Sequence, residues 1–97
     1  MLKIDEIQII PIKPQNGLVG FASCVVNNQF YVGNIAILTS PNIKTGFRLQ
    51  FPTKKLSSGK QVDCFYPISK EVEEVVSEKI INKYLELMDN FNHVEAF

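Results

Sequence analysis

The chain has 97 residues, 45% of them hydrophobic and 21% charged, enough for one small globular domain and too few for two. Ten basic and ten acidic side chains cancel, so the total charge points to no partner and any charge signal must be local. No apolar run approaches the roughly 20 residues of a membrane span, and the opening MLKIDEIQII carries Asp5 and Glu6 and no small-residue cleavage site, so a cytoplasmic protein is expected.

Lys3 to Lys13 reads as a first strand, with Pro11 suited to an edge or a bulge. Pro14 to Gly17 is a turn in which Gly17 can take positive φ. Leu18 to Val26 is a second strand, with Val19, Phe21, Ser23 and Val25 on one face and Leu18, Gly20, Ala22, Cys24 and Val26 on the other. Asn27-Asn28 makes a two-residue hairpin turn, because asparagine tolerates the left-handed region. Gln29 to Leu38 is a third strand, and Gly33-Asn34 within it predicts a bulge or a bend. Thr39 to Thr45 is a loop, Gly46 to Phe51 a fourth strand ended by Pro52, and Thr53 to Lys60 a polar connection turning at Ser57-Ser58-Gly59. Gln61 to Tyr66 is a short fifth strand.

Ser69 is the expected N-cap of a helix over about 69–90, with a frayed tail over 91–97. Val72, Val75, Val76, Ile80, Tyr84, Leu87, Met88 and Phe91 form its apolar stripe. Glu71, Glu73 and Glu74 sit at the positive end of its dipole. A segregated helix after a strand meander is an α+β domain with a small antiparallel sheet of about five strands. One helix stripe covers one face of a sheet, so an edge or the other face calls for a partner. A homodimer formed by strand pairing is the expectation.

Cys24 and Cys64, each in apolar context, are expected to be reduced and buried. Two lone cysteines and one histidine offer no metal-ligand spacing, and no cofactor or small-molecule substrate is expected. His93, the only histidine, falls in the tail and is expected to be solvated. No Gly-rich phosphate loop precedes a helix, and the helix acids read as a solvated face, so no catalytic residue is assigned.

The live chemistry is basic. Between Thr39 and Val62 lie Lys44, Arg48, Lys54, Lys55 and Lys60 with no acid. Lys54 and Lys55 sit at a corner, Lys60 lies across a turn, and Arg48 alternates with Phe47 and Leu49, so it points away from them. Together these five are candidates to track the phosphates of DNA or RNA. The competing reading is that they keep an edge soluble. Tyr31 and Tyr66 could stack on bases, but core or half-buried packing is the expectation for both.

Residues 52–68, PTKKLSSGKQVDCFYPI, resemble the septation protein G (stage V sporulation protein G) family, in which a Pro-Ser/Thr-Lys-Lys/Arg corner leads through a Gly turn to an Asp and then His-Pro-Ile. The resemblance extends upstream through LVGFASCVVNNQFYVGNIAIL and downstream to Tyr84. It implies a dimeric α+β protein of the bacterial cytoplasm that binds DNA and RNA, acts in septation, sporulation or gene regulation, and has no catalytic activity. Lys54 and Lys55 match the basic corner; Thr53, Gly59, Asp63, Pro67 and Ile68 match as scaffold. Tyr66 departs from the family's His, and the Thr39–Thr45 loop is longer than usual. The helix from Ser69 to Met88 carries three Lys against five Glu, which argues against it as a phosphate surface. The alternative is a protein-interaction module that uses the acidic helix and a sheet edge.

Overall fold

A computed structural model describes residues 2–95, and side chains through Asp89. The elements are β1 (Ile4–Gln15), β2 (Leu18–Val26), β3 (Phe30–Thr39), β4 (Phe47–Gln50), β5 (Thr53–Lys55), β6 (Gln61–Asp63) and α1 (Lys70–Glu95). Strands β1 to β4 form an antiparallel sheet in chain order, and β5 and β6 form a separate two-stranded ribbon. The domain is therefore α+β, with six strands in two sheets instead of five in one. Pro52 is the physical cause: without an N–H it cannot continue the β4 ladder. The chain re-pairs beyond it, Thr53 with Asp63 and Lys55 with Gln61.

The turns follow side-chain chemistry. Gln15 pairs with Leu18, and the two residues between them, Asn16 and Gly17, take φ of 53° and 88°, the left-handed pair that a tight hairpin requires. Asn27 and Asn28 do the same at 51° and 58°. The loop there is three residues long, because Gln29 donates its N–H to the Val26 carbonyl (2.9 Å) and pairing resumes at Val26–Phe30. The Asn27 carboxamide also accepts from the Lys3 N–H (2.7 Å), tying the start of β1 to this turn.

Register shifts decide which side chains reach the core. Gly33 and Asn34 of β3 stand opposite Ser23 alone, with Asn34 at φ 57°, so the expected bulge is present. It explains why Val32 and Ile35, three apart, are both buried, although a regular strand would put them on opposite faces. A second shift leaves Val19 as the extra residue between the Leu18–Leu38 and Gly20–Ile37 pairs. Val19 is consequently buried with Ala22 and Cys24, not grouped with Phe21 as simple alternation predicts. β1 is an edge strand carrying Pro11 and two further shifts, one at Glu6, whose φ is 47°.

Helix α1 starts where its cap predicts: the Val72 N–H donates to Ser69 Oγ (3.2 Å). It runs to Glu95, beyond the expected end near 90, so residues 91–95 are helical and not a frayed tail. Residues 96 and 97, and the side chains of Phe91 and His93, lie outside what is described. Val76, Ile80 and Tyr84 are buried against Ile4, Ala22, Cys24, Val32, Ile35 and Ile37, with Val72 and Met88 packed at the margins, and Ile81 is buried outside that cluster. Val75 and Leu87, expected in the stripe, are exposed, and Ile81 was not expected there. The core contacts follow the row of residues spaced by four, which is inclined to the helix axis; Val75 and Leu87 lie off it, and Ile81, also off it, is buried beside the groove against β4. Phe47 meets Tyr84 edge-on, with ring centroids 5.2 Å apart.

The two cysteines separate. Cys24 is buried and Cys64 is exposed, against the expectation that both are core. Burial pushes the Cys24 thiol up, which keeps it protonated and unreactive. Titration of the native protein with a thiol reagent is expected to find one rapid thiol, Cys64, and a second that reacts only as the fold opens. Equally rapid reaction of both would contradict the packing of Cys24.

Candidate nucleic-acid interface

The basic corner is carried on the β5–β6 ribbon. Its base is fixed in two ways. The Pro52 carbonyl accepts from the Cys64 N–H (2.9 Å), and the Phe51 and Phe65 rings pack 6.1 Å apart against the core. Its tip is closed by the Leu56 N–H to the Lys60 carbonyl (2.7 Å) and by the Gly59 N–H to the Leu56 carbonyl (2.9 Å). Gly59 has φ 90° with open space around it, so glycine is needed there for its backbone and not for room. All residues from Thr53 to Cys64 are exposed, so the ribbon projects from the domain.

The five candidate cations are not brought into one cluster. Lys54 pairs with Val62 and Lys55 with Gln61, so alternation sends the two adjacent lysines to opposite faces of the ribbon. Lys60 adjoins Gln61 at the tip, on the same chain end as Lys55. Arg48 pairs with Leu38 on the main sheet, on the face away from α1, while its neighbours Phe47 and Leu49 pack toward the core. Lys44 lies in the loop ahead of β4. All five are exposed, and none joins an ion pair among the described residues, where Lys3–Asp5 at 3.2 Å is the pair formed. Unpaired, solvated cations along a protruding ribbon can meet phosphates, and alternation puts Lys60 on the ribbon face of Lys54 and Val62.

Three side chains near this region are more exposed than their sequence context suggests. Tyr31 and Tyr66 are 74% and 56% exposed, where packing was expected. Ile68, assigned to the scaffold, is 91% exposed; no contact among the described residues accounts for an isoleucine there. A groove beside the ribbon, of about 310 Å³, was not foreseen; Phe21, Ala36, Leu38 and Gln50 form its floor and Pro52 and Thr53 its end. A second groove, about 410 Å³, separates α1 from β4; Ile43, Phe47, Leu49 and Ile81 line it with Glu74 and Glu78 among the acids at its rim. No group of His, Cys, Asp or Glu suited to hold a metal occurs among the described residues. No described helix is long and apolar enough to cross a membrane.

The SpoVG family pattern matches residues 2–86. Over 96 residues the chain is 30% identical to a protein of Onion yellows phytoplasma (strain OY-M) and 29% identical to one of Aster yellows witches'-broom phytoplasma (strain AYWB), in each case spanning 99% of this chain and 94% of the relative. It is also 23% identical to a protein of Archaeoglobus fulgidus over 89% of this chain and 98% of that one. All three carry the name "Putative septation protein SpoVG", which describes a septation protein and no enzyme. A match across nearly the whole sheet, ribbon and helix places this chain in the SpoVG family.

Proposed function

We propose that this protein is a non-enzymatic regulator that binds DNA or RNA as a cytoplasmic homodimer and acts in septum formation, sporulation or gene expression. The observation that carries the reading is the protruding β5–β6 ribbon, whose lysines join no ion pair among the described residues. Lys54, Lys55 and Lys60, with Arg48 and Lys44 on the flanking sheet and loop, contact phosphates, each contact releasing counterions. The relatives' name supplies the link to septation. The β4 edge supports strand-paired dimerisation: β4 pairs with β3 without a shift and ends the sheet, whereas β1 is blunted by Pro11, Pro14 and two shifts. Pairing through β4 brings two copies of Arg48 and of the ribbon to one assembly. Neither a membrane nor a small-molecule substrate enters this reading.

Binding to short DNA and RNA across a salt series tests it. Lys54→Ala/Lys55→Ala is expected to weaken binding and to reduce the salt slope by up to about two phosphate equivalents. An unchanged slope, or no binding at moderate salt, refutes it. Sedimentation as a monomer of 11.0 kDa at micromolar concentration refutes the dimer. The acid-rimmed groove between α1 and β4 favours a second reading, a protein-interaction module without nucleic acid, and loss of all nucleic-acid binding would leave that one standing.

A further inference from the structure

Only one face of the main sheet is covered by α1. The opposite face presents three cross-strand rows: Asp5–Val25–Tyr31, Ile10–Phe21–Ala36–Gln50 and Leu18–Leu38–Arg48. On it, Tyr31 is 74% exposed, yet its ring does not stand free of the sheet. A Cβ placed on Gly33 would lie 3.1 Å from both Cε2 and Oη of Tyr31. The ring therefore leans along β3 onto the one neighbour that has no side chain, which lays an aromatic surface down on the sheet. Phe21 lies on the same face four residues along β2 from Val25, the partner of Tyr31, about 13 Å at the rise of a strand. It forms the floor of the groove that ends at Thr53. Arg48 pairs with Leu38 of that groove and also borders the groove between α1 and β4, and Lys55 shares the ribbon face of Thr53, together with Asp63. The other acid on the face, Asp5, lies in the row of Tyr31, one strand beyond Val25, and is paired with Lys3.

An aromatic and apolar floor with unpaired cations on its rim complements one kind of chain, in which flat apolar faces alternate with anions. We infer that the open sheet face binds single-stranded nucleic acid, with Tyr31 and Phe21 stacking bases while Arg48 and Lys55 hold the backbone. Duplex cannot use the floor, because its bases are already stacked on one another. The inference rests on the nucleic-acid reading above and names the substrate class of that site.

Anisotropy titrations with labelled oligo(dT), oligo(U) and a short duplex test it, using wild type, Tyr31→Ala, Tyr31→Phe and Phe21→Leu. Either single-stranded oligonucleotide should bind more tightly than duplex. Tyr31→Ala should weaken it by about fivefold or more, with the salt slope unchanged, and Tyr31→Phe should retain the affinity. Phe21→Leu should weaken single-strand binding in the same way, and the fold of each variant is checked by its urea midpoint. Duplex bound as tightly as single strands, or single-strand binding indifferent to Tyr31→Ala, overturns the inference while leaving the phosphate reading intact. A Tyr31→Ala protein that sediments as monomer where wild type is a dimer also overturns it, by making this face a self-interface. Failure of wild type to bind any of the three probes overturns the underlying reading itself.

Discussion

Ile80→Ala is expected to lower the unfolding free energy by about 2–5 kcal/mol, a large part of the roughly 5–15 kcal/mol that holds a domain of this size. Ile80 is 0% exposed, as are Ile35 and Ile37 on the strand beneath it. The core contacts of α1 follow one inclined row centred on Ile80, and among the described residues no second helix shares the load. Val75→Ala, one turn away and 39% exposed, should cost well under half as much. Urea unfolding of the two variants checks this: the midpoint of Ile80→Ala should fall sharply with the slope unchanged. Equal shifts for the two would mean that α1 does not pack on the sheet along this row.

Gly20→Val should cost about 1–3 kcal/mol by overpacking. A Cβ at Gly20 would lie 3.0 Å from the Ile10 carbonyl oxygen and 3.4 Å from Pro11 Cα. Both are backbone atoms of the paired strand, so no rotamer change relieves the contact and β1 must move. β1 is an edge strand with two register shifts already, and the damage should concentrate there. Hydrogen exchange read along β1 and β2 is expected to accelerate, while the β3–β4 pairs keep their protection. Gly33→Ala should be milder, because the new methyl meets only the Tyr31 ring, which can swing away. Uniform acceleration across all four strands in Gly20→Val would contradict the local origin of the effect.

What the sequence disclosed is what local chemistry determines. Gly17 and Asn27-Asn28 announce left-handed turns, Gly33-Asn34 a bulge or bend, Pro11 an edge or bulge, and Ser69 a cap; each feature is present, with the loop at Asn27-Asn28 one residue longer than expected. The ribbon was harder to read: Thr53 to Lys55 is a strand of three exposed polar residues, and no alternation marks it. Faces were harder still. The placement of Val19 depends on a one-residue shift set by the partner strand, and the exposure of Cys64 and Ile68 depends on the ribbon leaving the domain. For the candidate site, the identities of Lys54, Lys55, Lys60, Arg48 and Lys44 were legible. Their dispersal over two faces of a ribbon, a sheet and a loop was not. Lys54 and Lys55 look like a pair in a string of letters, but strand pleating separates them. The exposure of Tyr31 has no mark in the sequence, although its spacing of two from Gly33 sets the ring beside a residue with no side chain.

The order of the elements along the chain also bears on synthesis. The four sheet strands are complete by Gln50, each paired with its immediate predecessor, whereas the helix that covers them begins only at Lys70. At about 5–20 residues per second, the ribosome needs a further 2–8 s or so to deliver the stretch from Gln50 to Asp89. During that interval Ile35, Ile37 and Cys24 have no lid, and a nascent sheet with a bare apolar face is what holdase chaperones recognise. The exposed ribbon, with Lys54, Lys55 and Lys60, is made in the same interval, before Ile80 arrives to close the sheet.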